Sequence, residues 1–429
     1  MAKSAPALRV QWYDGRLAGK VVVPGATFFG YDEAWLTTGY NLSPLAVPFT
    51  STVFRQRADG FDQLPGFLSD CLPDQWGRRL MERDFRALNV NLTSMRMLAW
   101  VGNRGLGALS FAPALEEAHS GTSWEPVTPL LLTREAQAVV RNSPPDAFRH
   151  LLQGGTAGGA YPKATVGLLR DGTLVTRGNV AASRRPGMKL GILKLDTQDN
   201  PLEPTTDGRV EAAYLFMARA AGIHTTRARI MSDNAPSRPR HHLFVQRFDL
   251  APRDRRLHLV TLAGTLHRHN LNYVDLLTTT RDLTGDRTQV LEAVRRMCFN
   301  VRSGNADDHG KNHSFLFDGD SGRWTLSPAY DLTPSYSRDR ELRGLFPSTF
   351  GASPRRQALA DVAAEAGVTL AEFDEIDGEV AAAVGRWAEY AERLDVPENL
   401  ASRAARIQSE LTGSLSSNAP VHSSRRRRW

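Results

Sequence analysis

Between Asn305 and Ser314 the chain reads N-A-D-D-H-G-K-N-H-S, and Tyr330-Asp331-Leu332 follows beyond a hairpin pattern. Asp307 and Asn312 stand five residues apart, and Asp331 lies in a second acidic loop. No other segment constrains the fold as much, because a carboxylate, an amide and a second carboxylate act together only where two loops converge. In such a set one carboxylate orients an acceptor hydroxyl, while the amide and the other carboxylate hold Mg²⁺ on nucleotide phosphates. Taken alone, the decapeptide fits an Asp/Asn-rich surface turn equally well.

The chain has 429 residues, enough for two or three domains, and is 41% hydrophobic and 23% charged, as globular proteins are. No apolar run reaches the roughly eighteen residues that a membrane span needs, and the first ten residues lack the apolar centre of a secretory signal. The expected location is therefore the cytoplasm. With only Cys71 and Cys298, far apart, neither a disulfide framework nor a cysteine zinc site is supported. The net charge of +7 and the Arg425–Arg428 run favour polyanionic partners, although the run also reads as a solvated tail. No recognition-helix motif indicates direct reading of DNA. Of 53 basic residues only six are lysines, and Lys163, Lys194 and Lys311 fall inside the motifs below. A compact ammonium suits phosphate in a way that a planar guanidinium does not duplicate.

Residues 8–23 read as a hairpin about Asp14-Gly15, and 61–88 as helix interrupted at Leu72-Pro73-Asp74. This N-terminal subdomain, residues 1–115, shows no chemistry of its own. A Gly-rich run, Gln153 to Lys163, opens the next region, 129–250. Strands follow around an Asp171-Gly172 turn, then the apolar strand Gly191–Leu195 carrying Lys194, a helix over 209–221 and a strand over His242–Phe248. Glycine turn, strands, lysine strand, helix, strand is the order of a kinase N-lobe. Helical pattern dominates 251–412, with a hairpin at Ser314–Leu326, and 413–429 read as a disordered basic tail. The expected fold is α+β: a protein-kinase-like two-lobed fold with a small N-terminal α/β subdomain and a mainly helical C-terminal lobe.

Gly158, Gly159 and Ala160 leave backbone N–H groups open to an anion, although the run matches neither common phosphate-loop pattern and a flexible loop is the plain alternative. Lys194 lies among apolar residues, where an unpaired ammonium is costly; Glu211 on the following helix is the expected partner. Lys311 offsets charge on a transferred phosphoryl group, and His309 shapes the loop. His309 and His313 with Asp307 and Asp308 do not form the zinc pattern H-E-x-x-H, so hard oxygen ligands favour Mg²⁺. His241, His242 and His258 read as surface residues.

These residues resemble the HipA-type serine/threonine kinase toxins of bacterial toxin–antitoxin systems. Gly158–Lys163, the Asp307-x-His-x-Lys-Asn312 loop with Ser314, and Tyr330-Asp331-Leu332 carry the likeness. Phe67–Arg79 and the glycine loop at 102–107 extend it through the N-terminal region. The resemblance implies that Asp307 is the catalytic base and that Asn312 and Asp331 hold Mg²⁺. It implies that Gly158, Gly159, Ala160, Tyr161, Pro162 and Lys163 form the phosphate loop of an ATP site that Lys194, His309 and Tyr330 also contact. Gln246, Arg247 and Phe248 would line its adenine side. The resemblance also implies an autophosphorylation site just before the glycine loop, where Thr156 stands in place of the family's serine. The implied partners are a helix-turn-helix antitoxin, operator DNA through that antitoxin, and a protein of the translation machinery such as an aminoacyl-tRNA synthetase as substrate. Two other readings remain open: a small-molecule kinase on the same lobes, and a DNA-complex scaffold without catalysis.

Overall fold

The computed structural model describes residues 7–416, apart from 24–25, 57–59, 88, 90, 116–122, 154–158, 177–185, 198–205, 235–237, 337–343 and 352. Strand β1 (Leu8–Trp12) buries Leu8, Val10 and Trp12, the alternation a one-sided strand requires. It turns at Gly15 (φ 91°) into β2 (Leu17–Val22). With β3 (Phe28–Tyr31), β4 (Phe54–Arg55) and β5 (Leu109–Ala112) they form a sheet ordered β4-β3-β2-β1-β5.

A second sheet is ordered β10-β11-β9-β7-β8-β6. Its strands are β6 (Glu125–Val127), β7 (Lys163–Leu168), β8 (Leu174–Thr176), β9 (Lys189–Lys194), β10 (Ala228–Asn234) and β11 (Pro239–Gln246). Every residue of β7 is buried, as befits a central strand covered on both faces. The Lys163↔Lys194 register sets two lysines side by side at one end of the sheet. One apolar cluster runs from Val10, Phe67 and Trp76 through Val166 and Leu193, so the two sheets share a core.

The helical region has its own core around Tyr214, Met297, Phe299 and Phe373. The helix Arg287–Ser303 starts on an Asp286 cap and stops at Gly304, whose φ of 76° favours glycine. It delivers the chain to the Asn305–Ser314 loop. Strands β13 (Ser314–Asp318) and β14 (Arg323–Leu326) then return it beside that loop, with Ser327 N donating to Ser314 O at 2.8 Å. A short strand β12 (His258–Thr261) pairs with β13 where the sequence pattern indicates helix; four residues are too few to reveal strand alternation. No helix among the described residues is long and apolar enough to cross a membrane.

Two expectations require correction. Residues 413–416 are not tail: the helix Glu398–Ser416 includes them, because Leu415 is buried and Ser414 Oγ donates to Pro354 O at 2.8 Å. Residues 417–429 lie outside the described residues. His242 and His258 are core rather than surface residues. His258 Nε2 meets Leu42 O at 2.8 Å, and His242 lies between Asp233 and the backbone N–H of Asp196.

Candidate functional site

Lys194 ends β9 and meets two carboxylates. Its Nζ donates to both Glu211 oxygens, at 2.8 and 2.7 Å, and to Asp331 Oδ1. The Glu211 pairing is the one expected from the apolar setting of Lys194. The Asp331 contact has no counterpart in the sequence reading, because nothing local links residues so far apart in the chain. Asp331 takes a φ of 56°, a left-handed conformation that Asp and Asn tolerate. Burial alone would raise its pKa, but Lys194 and Lys163 outweigh that and hold the carboxyl well below the usual range. Glu211 is pushed the other way, by burial first and by Asp331, against the opposing pull of Lys194.

The glycine turn is held from an unexpected side. At the start of the helix Gln75–Ala87, Asp74 Oδ2 accepts from Gly159 N at 2.9 Å, and Trp76 N donates to Gly159 O at 3.2 Å. Trp76 Nε1 also donates to Lys163 O at 3.0 Å. Gly159 has a φ of 111°, and a Cβ there would lie 2.0 Å from Lys163 Nζ, so the lysine fills the space a side chain would need. Lys163 is buried, and burial pulls its ammonium pKa down, with Lys194 adding to the effect. Ala160 and Tyr161 are exposed and Pro162 is partly buried. Gly158 and Thr156 lie outside the described residues.

Asp74 is also the partner of Lys311, 2.5 Å away. Burial lowers the Lys311 pKa, but Asp74 more than offsets this and leaves it raised. Asp74 in turn ends below its ordinary value, burial being outweighed by Lys311 and the Gly159 N–H. The N-terminal subdomain, which shows no chemistry in its sequence, thus contributes a carboxylate. The Leu72-Pro73-Asp74 signal is visible, but it reads as helix punctuation until the lobes are folded together.

In the first acidic loop, the Asp307 side chain is 67% exposed. Asn312 Nδ2 donates to Asp307 O at 2.7 Å, which holds the loop closed. His309 Nε2 lies 3.8 Å from Asp307 Oδ1 and also adds to lowering Asp331, behind the larger effects of burial and the two lysines. The two loops are joined at Tyr330, whose Oη donates to Lys311 O at 2.7 Å and shares a 2.6 Å contact with Ser314 Oγ. The neighbour of Asp331 is thereby bonded to the neighbour of Asn312. Asp308, beside Asp307, is buried; it accepts from Tyr273 Oη and from Phe346 N at 3.1 Å. It therefore anchors the loop from behind.

On the other side, Phe248 lies with its ring 5.4 Å from that of Tyr330. Gln246 commits its backbone N–H to Arg227 O and its carbonyl to Thr226 Oγ1, both at 2.8 Å. Arg247, of the expected adenine-side set, turns its side chain elsewhere. Its guanidinium is buried against Asp249, at 2.9 and 2.6 Å, and against Gly105 O, because a buried cation needs fixed acceptors. It braces the glycine loop at 102–107.

Among the described residues no group of three or more His, Cys, Asp or Glu side chains is placed to hold a metal ion. Oxygen donors suited to Mg²⁺ are present: the ionised Asp331 carboxylate, and the amide oxygen of Asn312, whose Nδ2 is occupied by Asp307 O.

A family model described as the HipA N-terminal domain matches residues 9–112, and one described as the HipA-like C-terminal domain matches residues 155–389. A Sinorhizobium fredii protein named "Putative kinase Y4mE" is 28% identical over 346 residues, which is 75% of this chain and 76% of that protein. Among solved structures, the Shewanella oneidensis HipA chain, determined with HipB and its operator DNA, superposes with a TM-score of 0.67. That match covers 95% of this chain and 96% of the other at 17% identity, a likeness of fold. The architecture is thus the α+β, two-lobed arrangement expected from the sequence.

Proposed function

This chain belongs to the HipA family, and from that premise we propose that it is a Mg-ATP-dependent serine/threonine protein kinase, the toxin of a toxin–antitoxin pair. One observation carries the reading: Lys194 joins Glu211 of the following helix to Asp331 of the second acidic loop. Protein kinases require a strand lysine paired with a helix glutamate and a loop aspartate in place for the metal.

In this reading Lys194 and Lys163 bind the nucleotide phosphates and the Gly159 turn lies over them. Asn312 and Asp331 would hold Mg²⁺, which when bound would offset the charge on the nucleotide phosphates. Asp307 orients the acceptor hydroxyl and receives its proton; its exposure suits a protein substrate. Tyr330 and Phe248 border the nucleotide from the lobe junction. Catalysis then comes from alignment and charge neutralisation, with little covalent chemistry from the protein. The proposed substrate is a component of translation, an aminoacyl-tRNA synthetase being one candidate. The proposed partner is a helix-turn-helix antitoxin, a reading supported by the HipB and operator DNA present with the Shewanella HipA chain.

The test is labelled ATP with purified protein and cell lysate, and identification of the modified band. Wild type should label a protein on Ser or Thr, and Asp307→Ala should not. Transfer only to a small molecule would favour a metabolite or antibiotic kinase, and absence of Mg²⁺-dependent ATP binding would favour a scaffold. Expression of the wild type should arrest growth and Asp307→Ala should relieve it.

A further inference from the structure

Resting on that reading, we propose that Asp74 is a positioning residue of the phosphoryl-transfer site, tying the Lys311 ammonium to the glycine turn. The carboxylate stands between two parts of the site, with Gly159 N–H on one side and Lys311 Nζ on the other. It is well placed for this work. Asp74 precedes the helix Gln75–Ala87, and its backbone carbonyl already accepts from Arg78 N at 2.8 Å, so its backbone is fixed. Two residues on, Trp76 holds the carbonyls of Gly159 and Lys163. An aspartate at a helix start ordinarily accepts from its own first turn. Here the carboxylate reaches away from the helix instead, across the lobe junction to Gly159 and Lys311.

Two consequences follow. Without the negative charge, Lys311 would be free to follow nucleotide phosphate or solvent, and its alignment on the transferred group would be lost. Loss of the Gly159 contact would loosen the turn as well. The N-terminal subdomain is therefore part of the catalytic unit, through one carboxylate and one indole.

The experiment compares wild type with Asp74→Asn and Asp74→Ala in the full chain. Asparagine keeps an acceptor for Gly159 N–H but removes the charge on Lys311. For Asp74→Asn, kcat should fall tenfold or more while KM for ATP changes less than threefold. For Asp74→Ala, kcat should fall and KM should rise. Asp74→Asn turnover within twofold of an active wild type overturns the proposal.

A second measurement needs no nucleotide. Acylation of Lys311 by an amine-reactive ester at pH 8, mapped by mass spectrometry, should speed up several-fold in Asp74→Asn. The exposed Lys20 and Lys189 serve as internal references, and the small number of lysines keeps the map simple. Unchanged labelling shows that the pair does not form in solution and overturns the proposal. If the wild type transfers no phosphate, the kinase reading fails while the labelling still decides the contact. Should Asp74→Asn not fold, Asp74→Glu serves instead: retained charge with displaced geometry should lower kcat and leave Lys311 protected.

Discussion

Trp76 and Lys163, 87 residues apart, are joined by a 3.0 Å hydrogen bond from the indole Nε1 to the lysine carbonyl. The indole is fully buried in the core that the two sheets share, so a residue of the N-terminal subdomain fixes the first residue of the central strand.

Trp76→Phe keeps most of that apolar packing and removes the donor to the Lys163 carbonyl. The expected cost is about 1–2 kcal/mol in urea unfolding. ATP binding, followed by calorimetry, should weaken several-fold because the glycine turn is attached at the same place. Unchanged affinity would show that the turn does not depend on this anchor.

Asp331→Asn should cost both function and stability. Despite burial, Lys194 and Lys163 hold the Asp331 carboxyl below its ordinary range, so its charge stabilises the folded chain at neutral pH, and removing it leaves two lysines with less compensation. Asparagine tolerates the φ of 56°, so the backbone adds no strain. Phosphoryl transfer should drop by at least a thousandfold, and the thermal midpoint should fall by a few degrees. A midpoint that stays level or rises contradicts the charge argument.

Acid should destabilise the protein through two buried imidazoles. Burial pulls His313 down to about 3, with Arg296 and His309 adding to it, and pulls His258 down to about 4. Both folded values lie below the ordinary 6.5, so the unfolded chain takes up protons that the folded chain refuses. Their stabilisation is complete above about pH 6.5 and is lost as pH falls towards 4 and 3. His258→Asn should flatten that acid limb in urea titrations at pH 4–7, where each tenfold difference in proton affinity is worth roughly 1.4 kcal/mol.

Asp308 runs the opposite way. Burial raises its carboxyl to about 7, against the hydrogen bonds from Tyr273 and Phe346 N. Its contribution is complete below about pH 4 and is lost as pH rises through 7. Asp308→Asn should abolish that neutral-side decline while leaving the His258 limb in place. An unchanged profile between pH 5 and 8 would count against a raised Asp308.

Truncation tests the corrected C-terminus. A chain ending at Ser416 is the reference. One ending at Thr412 loses buried Leu415 and the Ser414–Pro354 bond, at a cost of about 2–3 kcal/mol. Equal midpoints would mean that 413–416 add nothing to the core.

Much of the site is legible because its chemistry lies in short segments. The Asp307–Asn312 interval, the lone lysine in Gly191–Leu195 and the glutamate one helix later are local patterns, and burial of an ammonium demands a partner. Asp74 is hidden because the same three letters, Leu-Pro-Asp, also serve as an ordinary helix start. The anchorage of the Arg247 side chain is hidden as well, because its guanidinium requires Asp249 and a distant carbonyl. His258 reads as a surface residue because a four-residue strand shows too little alternation to reveal a buried face.

The order of residues is enough to say which loops carry carboxylates, where glycine permits the tight turn at 159, and which helix and strands deliver them. These depend on φ preferences, side-chain periodicity and charge within a few residues. Which carboxylate each lysine keeps is settled by the packing of the lobes: Lys194 takes Glu211 and Asp331, and Lys311 takes Asp74. Coulomb attraction carries no chain address. It acts between whatever charges the packed core brings within a few ångströms, and that distance is set by burial of apolar faces on the two lobes.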